Sequence, residues 1–142
     1  MVASWQFWAF LSAIFAALTA IFAKVGIQGI SSDFATLIRT FVIIGALCLF
    51  LTFTDQWQKP SEISLKSWVF LILSGLATGA SWVAYFRALQ IGDAARVAPV
   101  DKLSVIFVAI FGVTFLGEKL SVINWVGVIF ITFGIILLAL KI

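Results

Sequence analysis

The residues best suited to chemistry in this sequence are charges that lie inside long apolar runs. Asp101 and Lys102 follow Pro99 within the apolar stretch 94–116, and Arg39 lies early in the stretch 34–53. A charge at the centre of a membrane-spanning helix costs at least about 2.5–3.5 kcal/mol, so such residues tend to mark ion or substrate pathways. Adjacent residues of a helix point about 100° apart, so Asp101 and Lys102 are not expected to pair with each other. The sequence therefore predicts that both face a polar cavity.

Each of these charges also has a purely structural interpretation. The fourth helix could begin near Pro99, which suits a first helical turn, and Asp101 and Lys102 would then lie at the membrane interface. Arg39 could extend its long side chain to the lipid headgroups. For Lys24, at the end of the first apolar stretch, this extension to the headgroups is the preferred interpretation.

The third apolar stretch carries a polar stripe at spacings of four, three and four residues: Ser74, Thr78, Ser81 and Tyr85. These spacings place the side chains on one face of an α-helix, with Trp82 beside them. A polar stripe in lipid either lines a path or joins helices through hydrogen bonds. Gly75 and Gly79 form a small-xxx-small pattern that favours helix packing, while Tyr85 and Trp82 are too large for a close backbone crossing and favour a lining role.

Several kinds of chemistry are excluded by residue type. The chain has no histidine and a single cysteine, Cys48, so zinc sites built on these residues, Ser-His or Cys-His pairs and internal disulfides are ruled out. The basic residues are scattered, which argues against nucleic-acid binding. We expect no enzyme activity, no metal and no cofactor.

The elements that must position the charges are membrane helices. Of the 142 residues, 63% are hydrophobic and 11% are charged, too few to coat a water-soluble domain. Five stretches are long enough to cross a bilayer as helices: about 4–23, 34–53, 67–89, 94–116 and 122–140. Asp33 and Asp93 are expected to cap the second and fourth helices, and Pro99 to kink the fourth. The sequence predicts an all-α, multi-pass bundle forming one domain over residues 1–142.

The distribution of basic residues gives little preference for one orientation in the membrane. Five spans put the termini on opposite faces, with six bases on one face and three on the other: Lys24, Arg39, Arg87, Arg96, Lys102 and Lys141 against Lys59, Lys66 and Lys119. Arg39, Arg87 and Lys102 lie within predicted helices, and without them the count is three against three. This balance predicts insertion in both orientations or a weak preference for an outside N-terminus.

The sequence resembles the EamA domain of the drug/metabolite transporter superfamily. The resemblance rests on Tyr85-Phe-Arg-Ala-Leu-Gln-Ile-Gly92, on Val97-Ala-Pro-Val-Asp-Lys-Leu-Ser104, and on Phe115-Leu-Gly-Glu-Lys-Leu-Ser121 before a last apolar helix. Lys24 and Arg39 also stand where that family often has a Lys and an Arg. Most members carry two such five-helix units as an inverted repeat, and this chain resembles the short kind with one.

The resemblance implies half of an inverted-repeat transporter, working as an antiparallel homodimer in the cell (inner or plasma) membrane. It implies an exporter of small molecules, which are metabolites, amino-acid-like solutes or drugs, with a polar cavity near the midplane. The residues expected to line that cavity are Asp101, Lys102, Tyr85, Trp82, Ser81, Thr78, Arg39 and Ser104. Asp101 is the expected proton carrier. The alternatives are a membrane scaffold or assembly subunit and, third, a lipid-modifying enzyme.

Overall fold

The computed structural model describes residues 4–140, so Lys141, one of the bases counted above for the orientation, lies outside this range. The described chain consists of helices and turns, without strands. Its elements are α1 Trp5–Gly26, α2 Ser32–Thr54, a 3₁₀ turn Pro60–Glu62, α3 Leu65–Ile91, α4 Ala94–Asp101, α5 Ser104–Phe115 and α6 Val122–Ala139. Five segments are long and apolar enough to cross a membrane, with α4 and α5 together forming one of them. The predicted five-span, all-α fold is confirmed.

Large apolar side chains cover the surface of these helices. Phe53 is 86% exposed and Phe130 72% exposed, and few residues of any span are fully buried. An apolar surface of this extent is unfavourable in water and is accommodated by lipid chains. The exposure therefore gives the chain contact with membrane lipid along every span.

Two compact units divide the described residues. The continuous unit holds residues 23–90, and the discontinuous unit holds residues 4–22 and 91–140. Within the discontinuous unit, α6 packs against α4 and α5. The Arg96 guanidinium donates to the carbonyl oxygen of Leu140 at 3.1 Å, which joins the start of α4 to the end of α6.

The span that begins at Ala94 is interrupted, which differs from the continuous helix predicted over 94–116. The helical pattern stops at Asp101 and resumes at Ser104. Around the interruption the backbone bonds join residues three apart, as in a 3₁₀ helix: Lys102 to Pro99, Leu103 to Val100, Val105 to Lys102 and Ile106 to Leu103. Proline removes a backbone donor and crowds the preceding turn, and here the chain leaves α-geometry three residues beyond Pro99 rather than only bending at it.

Of the two N-cap residues predicted from the sequence, one is confirmed and one is wrong. Asp93 is the N-cap residue of α4, as predicted, and because α4 begins at Ala94 the alternative start near Pro99 is wrong. The N-cap of α2 is Ser31 rather than Asp33, which lies inside the first turn. The Asp33 carboxylate is instead engaged by Arg87 on α3. It still suits the positive N-terminal end of the α2 dipole.

Candidate functional site

Arg39 packs against the aromatic face of α3. Its guanidinium carbon lies 4.2 Å from the centre of the Trp82 ring and 5.2 Å from that of Phe86. Trp82 and Phe86 are four residues apart, so both project from the same side of α3. The NH1 nitrogen is buried and has no hydrogen-bond partner among the described residues. The side chain has turned towards α3, contrary to the alternative in which it extends to the headgroups.

Two side chains fasten the turn between α1 and α2 to the end of α3. The Lys24 ammonium, at the last turn of α1, donates to the carbonyl oxygen of Leu89 at 2.7 Å. The Gln90 amide donates to the carbonyl oxygen of Ile30 at 3.0 Å. Leu89 is fully buried and Lys24 half-buried, so the expected extension of Lys24 to the headgroups is wrong. A free backbone carbonyl at the end of α3 offers the ammonium a partner inside the protein.

Asp33 and Arg87 form a two-pronged ion pair between α2 and α3. The Arg87 Nε donates to one carboxylate oxygen at 3.0 Å, and its terminal nitrogen lies 2.6 Å from the other. This geometry is the stronger kind of ion pair, although both side chains are about half exposed or more. Neither residue was selected from the sequence as a site residue, because nothing local identifies a partner fifty-four positions away.

Three of the four residues of the polar stripe of α3 are exposed in the described chain. Thr78 donates to the carbonyl oxygen of Ser74 in its own helix at 2.9 Å, and both are exposed, as is Ser81. Tyr85 is half-buried, and its ring meets that of Phe86 edge-on at 6.3 Å. A methyl group built on Gly75 or Gly79 meets no other atom within 4 Å. Any packing role of these glycines therefore needs a second molecule, and it stays a prediction.

Asp101 and Lys102 form an ion pair at the helix interruption. The Lys102 ammonium lies 3.0 Å from an Asp101 carboxylate oxygen, with the side chains 61% and 35% exposed respectively. The expectation that they would not pair is wrong, because it assumed continuous α-geometry. The backbone leaves that geometry at Lys102, and the long lysine side chain folds back to its neighbour. Ser104, the first residue of α5, is exposed.

The structure brings the predicted site residues together in two groups. Arg39, Trp82 and Tyr85 gather in the continuous unit, where Phe86 joins them. Asp101, Lys102 and Ser104 gather in the discontinuous unit. Phe86 was missed from the sequence, although its spacing of four from Trp82 could have identified it. No three metal-ligating side chains cluster in residues 4–140.

The described chain thus combines five membrane-length helical segments, one of them interrupted beside a charged pair, with a guanidinium packed between two helices. The chain belongs to the EamA-like transporter family, which matches residues 3–140. It is also 68% identical over 139 residues to a protein of Sinorhizobium sp. named "Uncharacterized transporter in cobO 3'region", an alignment covering 98% of this chain and 99% of that protein. No solved structure matches significantly.

The family and the five apolar helices make the chain a multi-pass membrane protein of a transporter family. Membership also points to a transporter with small-molecule substrates rather than to an enzyme.

Proposed function

We propose that the chain exports a small metabolite, amino-acid-like solute or drug across the cell's inner or plasma membrane, as an antiparallel homodimer with a polar cavity near the midplane. The observation that carries this proposal is the interrupted span with its charged pair. Secondary transporters bind substrate and coupling ion where transmembrane helices are discontinuous, near the middle of the bilayer.

The depth of the interruption fits that role. Lys102 lies eight residues after Ala94, or about 12 Å along the helix, in a bilayer core about 30 Å thick. Pairing with Asp101 lowers the cost of placing either charge at this depth. A solute or a proton can therefore compete for either Asp101 or Lys102 at a site where both charges are already in place.

The proposed roles follow from the side-chain chemistry. Asp101 carries the coupling proton, and Lys102 is the point charge that holds an anionic part of the solute. Hydroxyl groups of Ser81, Thr78 and Ser104 supply hydrogen bonds. Tyr85, Trp82 and Arg39 supply the remaining cavity surface.

Several features of the single chain support the homodimer. One five-helix unit corresponds to half of an inverted repeat, and the balanced loop bases agree with insertion in both orientations. Ser74, Thr78 and Ser81 of the polar stripe are exposed, and a Cβ atom added at Gly75 or Gly79 would meet nothing within 4 Å in the described chain. A second copy would cover them with small side chains and hydrogen bonds, as membrane helices do.

Crosslinking through α3 tests the antiparallel arrangement. Thr78 is the middle residue of α3, so an antiparallel partner brings Leu71, seven residues before it, opposite Tyr85, seven residues after it. In a Cys48→Ser background, co-expressed Leu71→Cys and Tyr85→Cys chains should form a disulfide-linked dimer in native membranes. Each variant expressed alone should remain largely monomeric.

The control for this experiment is Leu76→Cys, which lies on the opposite side of α3 from Thr78 and should not crosslink. A parallel dimer would instead link each variant to its own copy. If every cysteine variant, including Thr78→Cys at the middle of α3, stays monomeric, the dimer is contradicted.

Transport itself is tested with purified protein in liposomes under an imposed proton gradient. We expect proton-driven movement of at least one solute from a panel of amino acids and related acids and amines. Folded, inserted protein that moves none of them would favour the scaffold function, in which the polar stripe of α3 only joins helices.

A further inference from the structure

We propose that the guanidinium of Arg39 is the binding site for a carboxylate group of the transported solute, an inference that rests on the transport function proposed above. The ligand class is a small carboxylate with an apolar, preferably aromatic, body. The site consists of Arg39 on α2 with Trp82 and Phe86 on α3.

The donors that a ligand can engage lie along the edge of the guanidinium. The guanidinium carbon lies over the Trp82 and Phe86 rings, 4.2 and 5.2 Å from their centres. The N–H donors of a guanidinium point outward in its plane, away from a stacked ring. One of these nitrogens, NH1, is buried without a hydrogen-bond partner among the described residues. A buried donor of this kind is costly until an acceptor arrives.

Protein carboxylates of the continuous unit do not supply that acceptor. Asp33 is held by Arg87 through both of its oxygens. Asp55 follows α2, sixteen residues beyond Arg39, or about 24 Å at the helical rise. Glu62 precedes the start of α3 at Leu65, which lies seventeen residues, or about 25 Å, before Trp82. Tyr85 is near enough to interact electrostatically with Arg39, but a phenol does not neutralise a cation.

The chemistry of the site selects a carboxylate over other acceptors. The planar fork of arginine matches two carboxylate oxygens, and such charge-assisted pairs are about twice as strong as neutral hydrogen bonds. The two aromatic rings beside it provide apolar contact for the rest of the solute. A phosphate of a lipid headgroup shares the same oxyanion chemistry, and the experiment must separate these two sources.

Thermal unfolding of the purified protein in a neutral detergent tests the site. Phenylacetate and phenylalanine should raise the unfolding midpoint, whereas phenylacetamide, which lacks the charged oxygen, should not. Arg39→Met should weaken phenylacetate binding by about ten- to a hundredfold, the loss expected for a hydrogen bond to a charged group. Arg39→Lys keeps the charge without the planar fork, so its affinity for phenylacetate should lie between those of the wild type and Arg39→Met.

Lys59→Met is the matched control, because it removes one exposed base of the same unit and should bind phenylacetate as the wild type does. If both carboxylates fail to shift the wild-type midpoint, or if Arg39→Lys and Arg39→Met respond as strongly as wild type, the site is refuted. If phosphatidylglycerol raises the midpoint through Arg39 and abolishes the response to phenylacetate, Arg39 binds lipid and the proposal is overturned.

Binding and transport can fail separately. If solute flux is seen in liposomes but binding does not depend on Arg39, the carboxylate site is refuted and the transport function is not. Arg39-dependent binding without flux of any panel solute would refute the transport function while the anion site stands.

Discussion

Asp101→Asn is expected to reduce proton-driven solute flux in liposomes to the level of protein-free vesicles. An amide keeps the size and most hydrogen bonds of the carboxylate, but it cannot load and release a proton. The substitution also leaves Lys102 without the charge that lies 3.0 Å from its ammonium. A lone charge deep in a span costs about 2.5–3.5 kcal/mol on insertion scales, which corresponds to a factor of roughly one hundred or more in an equilibrium.

The variant should still fold, which makes the flux informative. The Lys102 ammonium can donate to the oxygen of the new amide, so we expect a wild-type gel-filtration profile. Flux is therefore normalised to folded protein. Asp93→Asn is the control, because Asp93 is an exposed cap in the same unit without a side-chain cap bond.

Lys102→Met probes the other half of the pair. Loss of its point charge should weaken the binding of anionic or zwitterionic solutes while leaving the protein folded. Wild-type flux in both Asp101→Asn and Lys102→Met would exclude the pair from the cavity. The site would then have to be sought at Tyr85, Trp82 and Arg39.

Variants that insert in a single orientation are expected to be inactive alone. They should become active when two variants of opposite orientation are co-expressed. Gln56→Lys with Gln58→Lys should hold the loop between α2 and α3, and with it the N-terminus, in the cytoplasm. Gln28→Lys with Lys59→Gln should shift the balance of basic residues to the other face and so favour the opposite orientation. The three glutamines are exposed, so these changes should leave the fold intact.

The physical reason is that an antiparallel dimer needs one copy of each orientation. Each locked chain alone should show flux near background, and co-expression of the two should restore it to near wild-type level. Reporters fused to the C-terminus establish the orientation of each chain. A locked chain that transports alone at the wild-type rate would rule out the antiparallel dimer.

The sequence alone determined the features that depend on local composition. Five apolar stretches predicted five membrane-spanning helices, because the length needed to cross a bilayer is a property of each segment by itself. The Asp93 cap was likewise predictable from neighbouring residues. The polar stripe of α3 is fixed by helical spacing, and the motifs around Gly92 and Ser104 were sufficient for the family, which the match over residues 3–140 confirms.

Tertiary structure decided where the long charged side chains go. Lys24 reaches a carbonyl sixty-five residues away, Arg87 an acid fifty-four residues away, and Arg39 the rings of another helix. Local pattern cannot rank such partners, because a flexible arginine or lysine has many rotamers and its choice depends on which acceptors the packed helices leave unpaired. The pairing of Asp101 with Lys102 depended in turn on a helix interruption that follows Pro99 by three residues, where backbone bonding rather than residue type sets the direction of the side chains.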